Sequence, residues 1–215
     1  MKLKIKLIYP FVSAILLLLI VRFMLVLHMR LPDDTEVRGF EPRQHVLVSL
    51  TYYGLRLPGE RLWGYHRWGY GMPEYGDPLV FSMTMMRNSE PVITRTIGRC
   101  EALPGETVWI DPVRKKVLPA RTSPDAQPIV VPGRNRTLSV TPYNARLLAF
   151  LMNRYEHCAA QVSPDGQLLV DGHRVNRVRL KHDYYWIETQ PDNYVIVPHD
   201  ALVGKIIYQL KTRKE

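Results

Sequence analysis

The chain has 215 residues, 46% of them hydrophobic and 23% charged, which suits one ordinary domain and excludes both a disordered tail and a multi-span membrane protein. Two cysteines exclude a disulfide scaffold and any four-cysteine metal module. The net charge is +9, but Lys2, Lys4, Lys6, Arg22 and Arg30 supply five of those charges at an acid-free N-terminus, so the body is an ordinary mixed surface and no nucleic-acid footprint is expected.

From Leu7 to Leu27 the sequence is apolar apart from Tyr9, Pro10, Ser13 and Arg22. A helix of that length, at about 1.5 Å per residue, matches a hydrocarbon core of about 30 Å. A cleavable signal peptide is the alternative, but His28-Met29-Arg30-Leu31-Pro32 offers no small-x-small cleavage site. The run therefore predicts a single uncleaved anchor. The three lysines stay in the cytoplasm and residues from about 31 onward cross the membrane.

Beyond Arg30 the sequence predicts a mainly β body. Short apolar runs recur between turn signals at His45–Leu50, Leu79–Met83, Val92–Ile97, Thr107–Ile110, Lys116–Leu118, Leu168–Val170, Val175–Val178, Tyr184–Glu188, Tyr194–Val197 and Lys205–Leu210. Asp165-Gly166 and Asp171-Gly172 are hairpin signals. One helix is expected over Thr141–Tyr155, with Thr141 as N-cap and Pro142 at the first helical position. Its stripe of Leu147, Leu148, Leu151, Met152 and Tyr155 recurs at helical spacing. The proline-rich stretch Pro119–Pro132 reads as an extended insertion.

Generic searches for chemistry return little. The glycines between Gly64 and Gly76 lack phosphate-loop spacing, and the seven histidines are scattered without metal-ligand spacing. No cofactor and no metal is implied. Cys100 and Cys158 could pair outside the cytoplasm. Trp63, Tyr65, Trp68, Tyr70 and Tyr75 are either buried rings of a strand and loop or a surface at the membrane interface.

A set of strings in order carries more. Leu57-Pro58-Gly59-Glu60, Tyr75-Gly76-Asp77-Pro78-Leu79-Val80-Phe81, Ile97-Gly98-Arg99-Cys100-Glu101-Ala102-Leu103-Pro104-Gly105-Glu106-Thr107 and Val197-Pro198-His199-Asp200-Ala201-Leu202-Val203-Gly204-Lys205 are turn units in which proline sets φ and glycine takes φ > 0. In this order, behind an anchor, they resemble bacterial signal peptidase I over nearly the whole chain. Val131-Pro132-Gly133, the Thr141 helix and Val170-Asp171-Gly172-His173 resemble the insertion of the enzymes from Bacteroides-type bacteria. The resemblance implies a body of coiled antiparallel sheets over 31–215, with an insertion at about 112–180, behind a 1–30 head and anchor. It also implies a single-pass place in the cytoplasmic (inner) membrane, with the body periplasmic.

In that family a serine attacks the carbonyl after a small residue of the signal peptide. A lysine kept neutral by burial is the base, and a hydroxyl two residues before the nucleophile helps hold the oxyanion. Counting back from Pro58-Gly59-Glu60 puts the nucleophile position on Thr51 and the oxyanion position on Ser49. The family's lysine position falls on Gly98, which cannot accept a proton. The C-terminal stretch that supports the lysine is replaced by the shorter Glu188–Tyr194.

Three readings follow. The first is a catalytically degenerate relative that binds a partner, either a preprotein signal peptide or an active signal peptidase. The second is an active endopeptidase using Ser49 or Thr51, with a base displaced to Lys115, Lys116 or His45. The third is a basic, aromatic surface that contacts membrane lipid or polysaccharide.

Overall fold

A computed structural model of the chain describes residues 2–56, 66–87, 90–111, 116–118 and 120–210, with backbone alone for parts of the first helix and for 86–87. The fold is mainly β. Helix α1 (Lys2–Leu25) leads into β1 (Val26–Arg30), β2 (His45–Ser49), β3 (Leu55–Arg56), β4 (Arg67–Trp68), β5 (Pro78–Arg87) and β6 (Glu90–Ala102). Next come β7 (Thr107–Asp111), β8 (Lys116–Leu118), β9 (Gln127–Val130), β10 (Thr137–Ser139) and helix α2 (Ala145–Leu151). The chain then forms β11 (Ala160–Val162), β12 (Leu168–Val170), β13 (His173–Arg174), β14 (Arg177–Arg179), β15 (Tyr184–Gln190), β16 (Asn193–Pro198) and β17 (Leu202–Leu210).

The frame is a seven-stranded sheet in the order β1-β2-β17-β5-β6-β15-β16. Each of its pairings is antiparallel. Leu79, Val80 and Phe81 are consecutive and fully buried, which requires cover on both faces. One face is roofed by Leu31, Val37 and Phe40 over Val46, Val48, Val80, Ile97 and Ile206. The other packs Tyr53, Leu79, Phe81, Cys100, Tyr185, Ile187 and Leu202. A third core joins Val108, Val131, Leu138, Leu148, Leu151 and Leu168 of the insertion to Trp186 and Ile196 of the sheet.

Two expectations change at the N-terminal end. The apolar run does not stay helical to Leu27: Val26–Arg30 pairs residue for residue with Ser49–His45, and the Leu50 N–H donates to the Leu25 carbonyl. The body therefore begins at Val26 and not at 31, because the backbone groups of 26–30 find partners on the edge of β2. Among the described residues no helix is long and apolar enough to cross a membrane.

Near the insertion helix, Thr141 and Asn144 cap reciprocally. Thr141 Oγ1 accepts from the Asn144 N–H and Asn144 Oδ1 accepts from the Thr141 N–H, the geometry of a capping box. The α-helix is shorter than expected and passes at Met152 into a π-helical turn, Met152–Glu156. His157 ends it in the left-handed region at φ 55°. Asp171 and Gly172, at φ 50° and 81°, make the expected hairpin between β12 and β13. The run at Val175–Val178 is split between a connector, Val175 and Asn176, and β14. Cys100 and Cys158 are both free thiols.

Candidate functional site

The three positions that the resemblance singles out do not converge. Ser49 ends β2 and pairs with Lys205 of β17; Lys205 pairs with Leu79 of β5, and Leu79 with Gly98 of β6. Ser49 and Gly98 thus share one lateral row but lie three strand spacings apart, roughly 14 Å. The Ser49 and Thr51 hydroxyls are 3.4 Å from each other. The Leu57–Glu60 turn used for the count lies outside the described residues, as does Lys115.

Gly98 is sealed rather than open. A Cβ on it would land on Ile187 Cγ2 and lie 2.7 Å from the Glu188 carbonyl oxygen. The close approach of β15 requires a residue without a side chain here.

An amine does enter the row, from Lys205, a residue the sequence reading left inside the C-terminal string. Its Nζ lies 2.7 Å from Asp77 Oδ1, 3.1 Å from the Tyr52 hydroxyl and 4.2 Å from the centre of the Tyr52 ring. Burial favours the neutral amine, but the bonds to Asp77 and Tyr52 outweigh it and raise the pKa. Lys205 is held as an ammonium, the wrong protonation state for a general base. The other displaced bases are committed as well. His45 stacks on His28 at 4.9 Å, and Lys116 pairs with Asp192 at 3.3 Å.

A different hydroxyl faces the strand that carries Gly98. Thr35 lines a cavity of about 260 Å³ together with Val37, Met83, Thr96, Ile97 and Val195. Its Oγ1 donates to the Pro32 carbonyl at 2.8 Å, and no lysine or histidine lines the cleft. The segment leading there, Pro32–Gln44, ends in Glu41-Pro42-Arg43-Gln44 just before β2. Arg43 stands at φ 62°, the conformation that glycine takes in a Pro-Gly-acid turn, and is tied to Asp33 by two bonds of 2.7 Å. Applied from Pro42, the count that led from Pro58 to Thr51 reaches Thr35. The signal was missed because an arginine fills the glycine position.

A second polar cluster joins the insertion to the sheet. The π-helical turn carries the buried Glu156 inward, where Oε1 accepts from the Lys181 N–H, the Tyr184 hydroxyl and His182 Nδ1. His182 Nε2 lies 3.3 Å from Asp200 Oδ2. The bond to Asp200 leads, with Glu156 adding to it against burial, in raising His182 to about 8. Its neighbour His199 is buried, stacks on Tyr70 at 4.2 Å and lies 3.3 Å from the Tyr185 hydroxyl. Burial first, then the Arg67 charge, lowers it to about 4.

Of the aromatic cluster, Trp68, Tyr70 and Tyr75 are 77%, 52% and 70% exposed, so these three are surface rings; Trp63 and Tyr65 lie outside the described residues. Among the described residues no group of three or more His, Cys, Asp or Glu side chains is placed to hold a metal. No known family model matches the chain, and no curated protein matches it.

Proposed function

We propose that the protein is a signal peptidase I-like membrane protein that has lost catalysis and binds an extended polypeptide segment. The family's order of turn units supports the kinship, as does a seven-stranded antiparallel frame behind an N-terminal helix. The observation that carries the loss of activity is the packing of Gly98 against Ile187 and the Glu188 carbonyl. At that strand a base has neither a residue nor room. In this reading the vestigial cleft is the one bearing Thr35, whose apolar floor of Val37, Met83, Ile97 and Val195 suits a small or aliphatic side chain of a peptide. The anchor, the periplasmic placement and contact with membrane lipid belong to the same proposal.

The test is cross-linking of a synthetic signal peptide to full-length protein that carries a photoreactive residue at Met83. The reading expects a cross-link that Thr96→Trp, which fills the cleft, abolishes. A cross-link insensitive to Thr96→Trp, or none at all, contradicts it.

A further inference from the structure

A cavity of about 470 Å³ lies elsewhere, between the sheet edge and the insertion. Tyr75, Trp186 and Tyr194 supply aromatic walls, Glu101 and Glu106 supply carboxylates, and Val117 of β8 closes one side. We infer that this cavity binds an organic cation, the guanidinium or ammonium group of an arginine or lysine side chain on a peptide. The inference is independent of the cleft at Thr35.

Three observations lead there. Trp186 and Tyr194 form a tilted ring pair, centres 6.1 Å apart and planes 33° from parallel, and both line the cavity. Tyr75, 70% exposed, adds a third aromatic side chain to the cavity lining, and aromatic rings attract alkylammonium and guanidinium groups through their quadrupoles. The charged residues among those described that line the cavity, Glu101 and Glu106, are both carboxylates. Glu101 bonds to the Tyr75 hydroxyl and, with Glu188 and Asp192, also pushes up the Tyr194 phenol behind burial.

Arg38 and Arg99 weaken the field at Glu101 but are not among the residues that line the cavity. Arg38 is 3.9 Å from Glu188. Arg99 donates to the Gly76 and Arg38 carbonyls. Lys116 pairs with Asp192 at the rim. Glu106 accepts one bond, from the Leu103 N–H, and a carboxylate retains further lone pairs for a cation. An anion would meet two carboxylates, and a neutral apolar ligand would desolvate them without compensation.

The same chain already uses the contact intramolecularly, with Lys205 over Tyr52 at 4.2 Å. The cavity offers the equivalent contact to an incoming side chain.

The experiment titrates full-length protein in detergent micelles with a fluorescein-labelled glycine peptide carrying one arginine, and with its citrulline counterpart, which keeps the shape and loses the charge. The arginine peptide is expected to bind at least about tenfold more tightly than the citrulline peptide. Glu101→Gln and Tyr75→Ala are each expected to erase that difference, whereas Tyr75→Phe and the cleft-filling Thr96→Trp keep it. Tyr75 is a surface residue, so Tyr75→Ala keeps the test valid even if Glu101→Gln fails to fold. Equal binding of the two peptides, a difference that survives Tyr75→Ala, or no saturable binding into the millimolar range overturns the inference.

Discussion

Gly98 and Ile187 touch through the space a side chain would need: a Cβ on Gly98 would coincide with the Ile187 Cγ2 methyl. Strand β15 therefore lies closer to β6 than any lysine-bearing version of this sheet would allow. In the proposed reading, the missing base and this close packing at Gly98 go together.

Restoring the family residue should not restore the enzyme. Gly98→Lys must push Ile187 or the Glu188 backbone aside, and overpacking of this kind costs about 1–3 kcal/mol. The prediction is a lower denaturation midpoint and no gain of peptide hydrolysis. An unchanged midpoint would show that β15 yields freely.

Asp77 anchors Lys205 in the same row. Its side chain is 9% exposed and that of Lys205 is 20% exposed, and Asp77 Oδ2 also accepts the Glu74 N–H. Asp77→Ala leaves an ammonium and a backbone donor without their anion, and should cost about 2–3 kcal/mol. Lys205→Met, which removes the charge and keeps the stem's packing, should cost clearly less. Paired urea titrations of the two variants check the order.

The two histidines at the insertion junction should give stability a dome in pH. His182 is raised to about 8, so its contribution is complete below its unfolded value of about 6.5 and is lost as pH rises through 8. Allowing for solvent at a side chain 29% exposed, that loss is about 1 kcal/mol. His199 is lowered to about 4, so its unfolded form takes up a proton first and stability falls as pH drops from about 6.5 toward 4. Melting temperatures across pH 4–9 should flatten on the alkaline side in His182→Gln and on the acid side in His199→Phe.

The sequence reveals the strands whose apolar runs are dense and bounded by turns, short ones included; β8 and β12 match residue for residue. It hides β1, since Val26–Arg30 continues the apolar run of α1 and hydrophobicity alone cannot separate an apolar strand from a helix end. It also hides β9, β10 and β11, which are short, carry Pro128 or polar residues, and exist through partners distant in the chain. The site was half visible. Gly98 is legible because it sits in a recognisable string, whereas the cleft that Thr35 lines has no sequence signal, since Arg43 stands at a positive-φ position where a turn motif would show glycine. Thr51 attracted the count because Pro58-Gly59 is the better-looking turn.

The proposed topology keeps the N-terminal lysines in the cytoplasm and puts the body outside it. Reporter fusions at Glu215 should be active only as periplasmic reporters. Activity of a reporter that works only in the cytoplasm would reverse the topology.

The central claim of the proposal is that no serine–lysine hydrolysis remains, since a positioned base is worth roughly 10²–10⁴-fold in such a rate and, among the described residues, no amine or imidazole is bonded to the hydroxyls of Thr35, Ser49 or Thr51. Its most direct measurement is cleavage of a signal-peptide substrate by the purified full-length protein beside Thr35→Ala, Ser49→Ala and Thr51→Ala. The account predicts no wild-type cleavage above that of the three variants. Wild-type turnover that any one of these substitutions abolishes would contradict it.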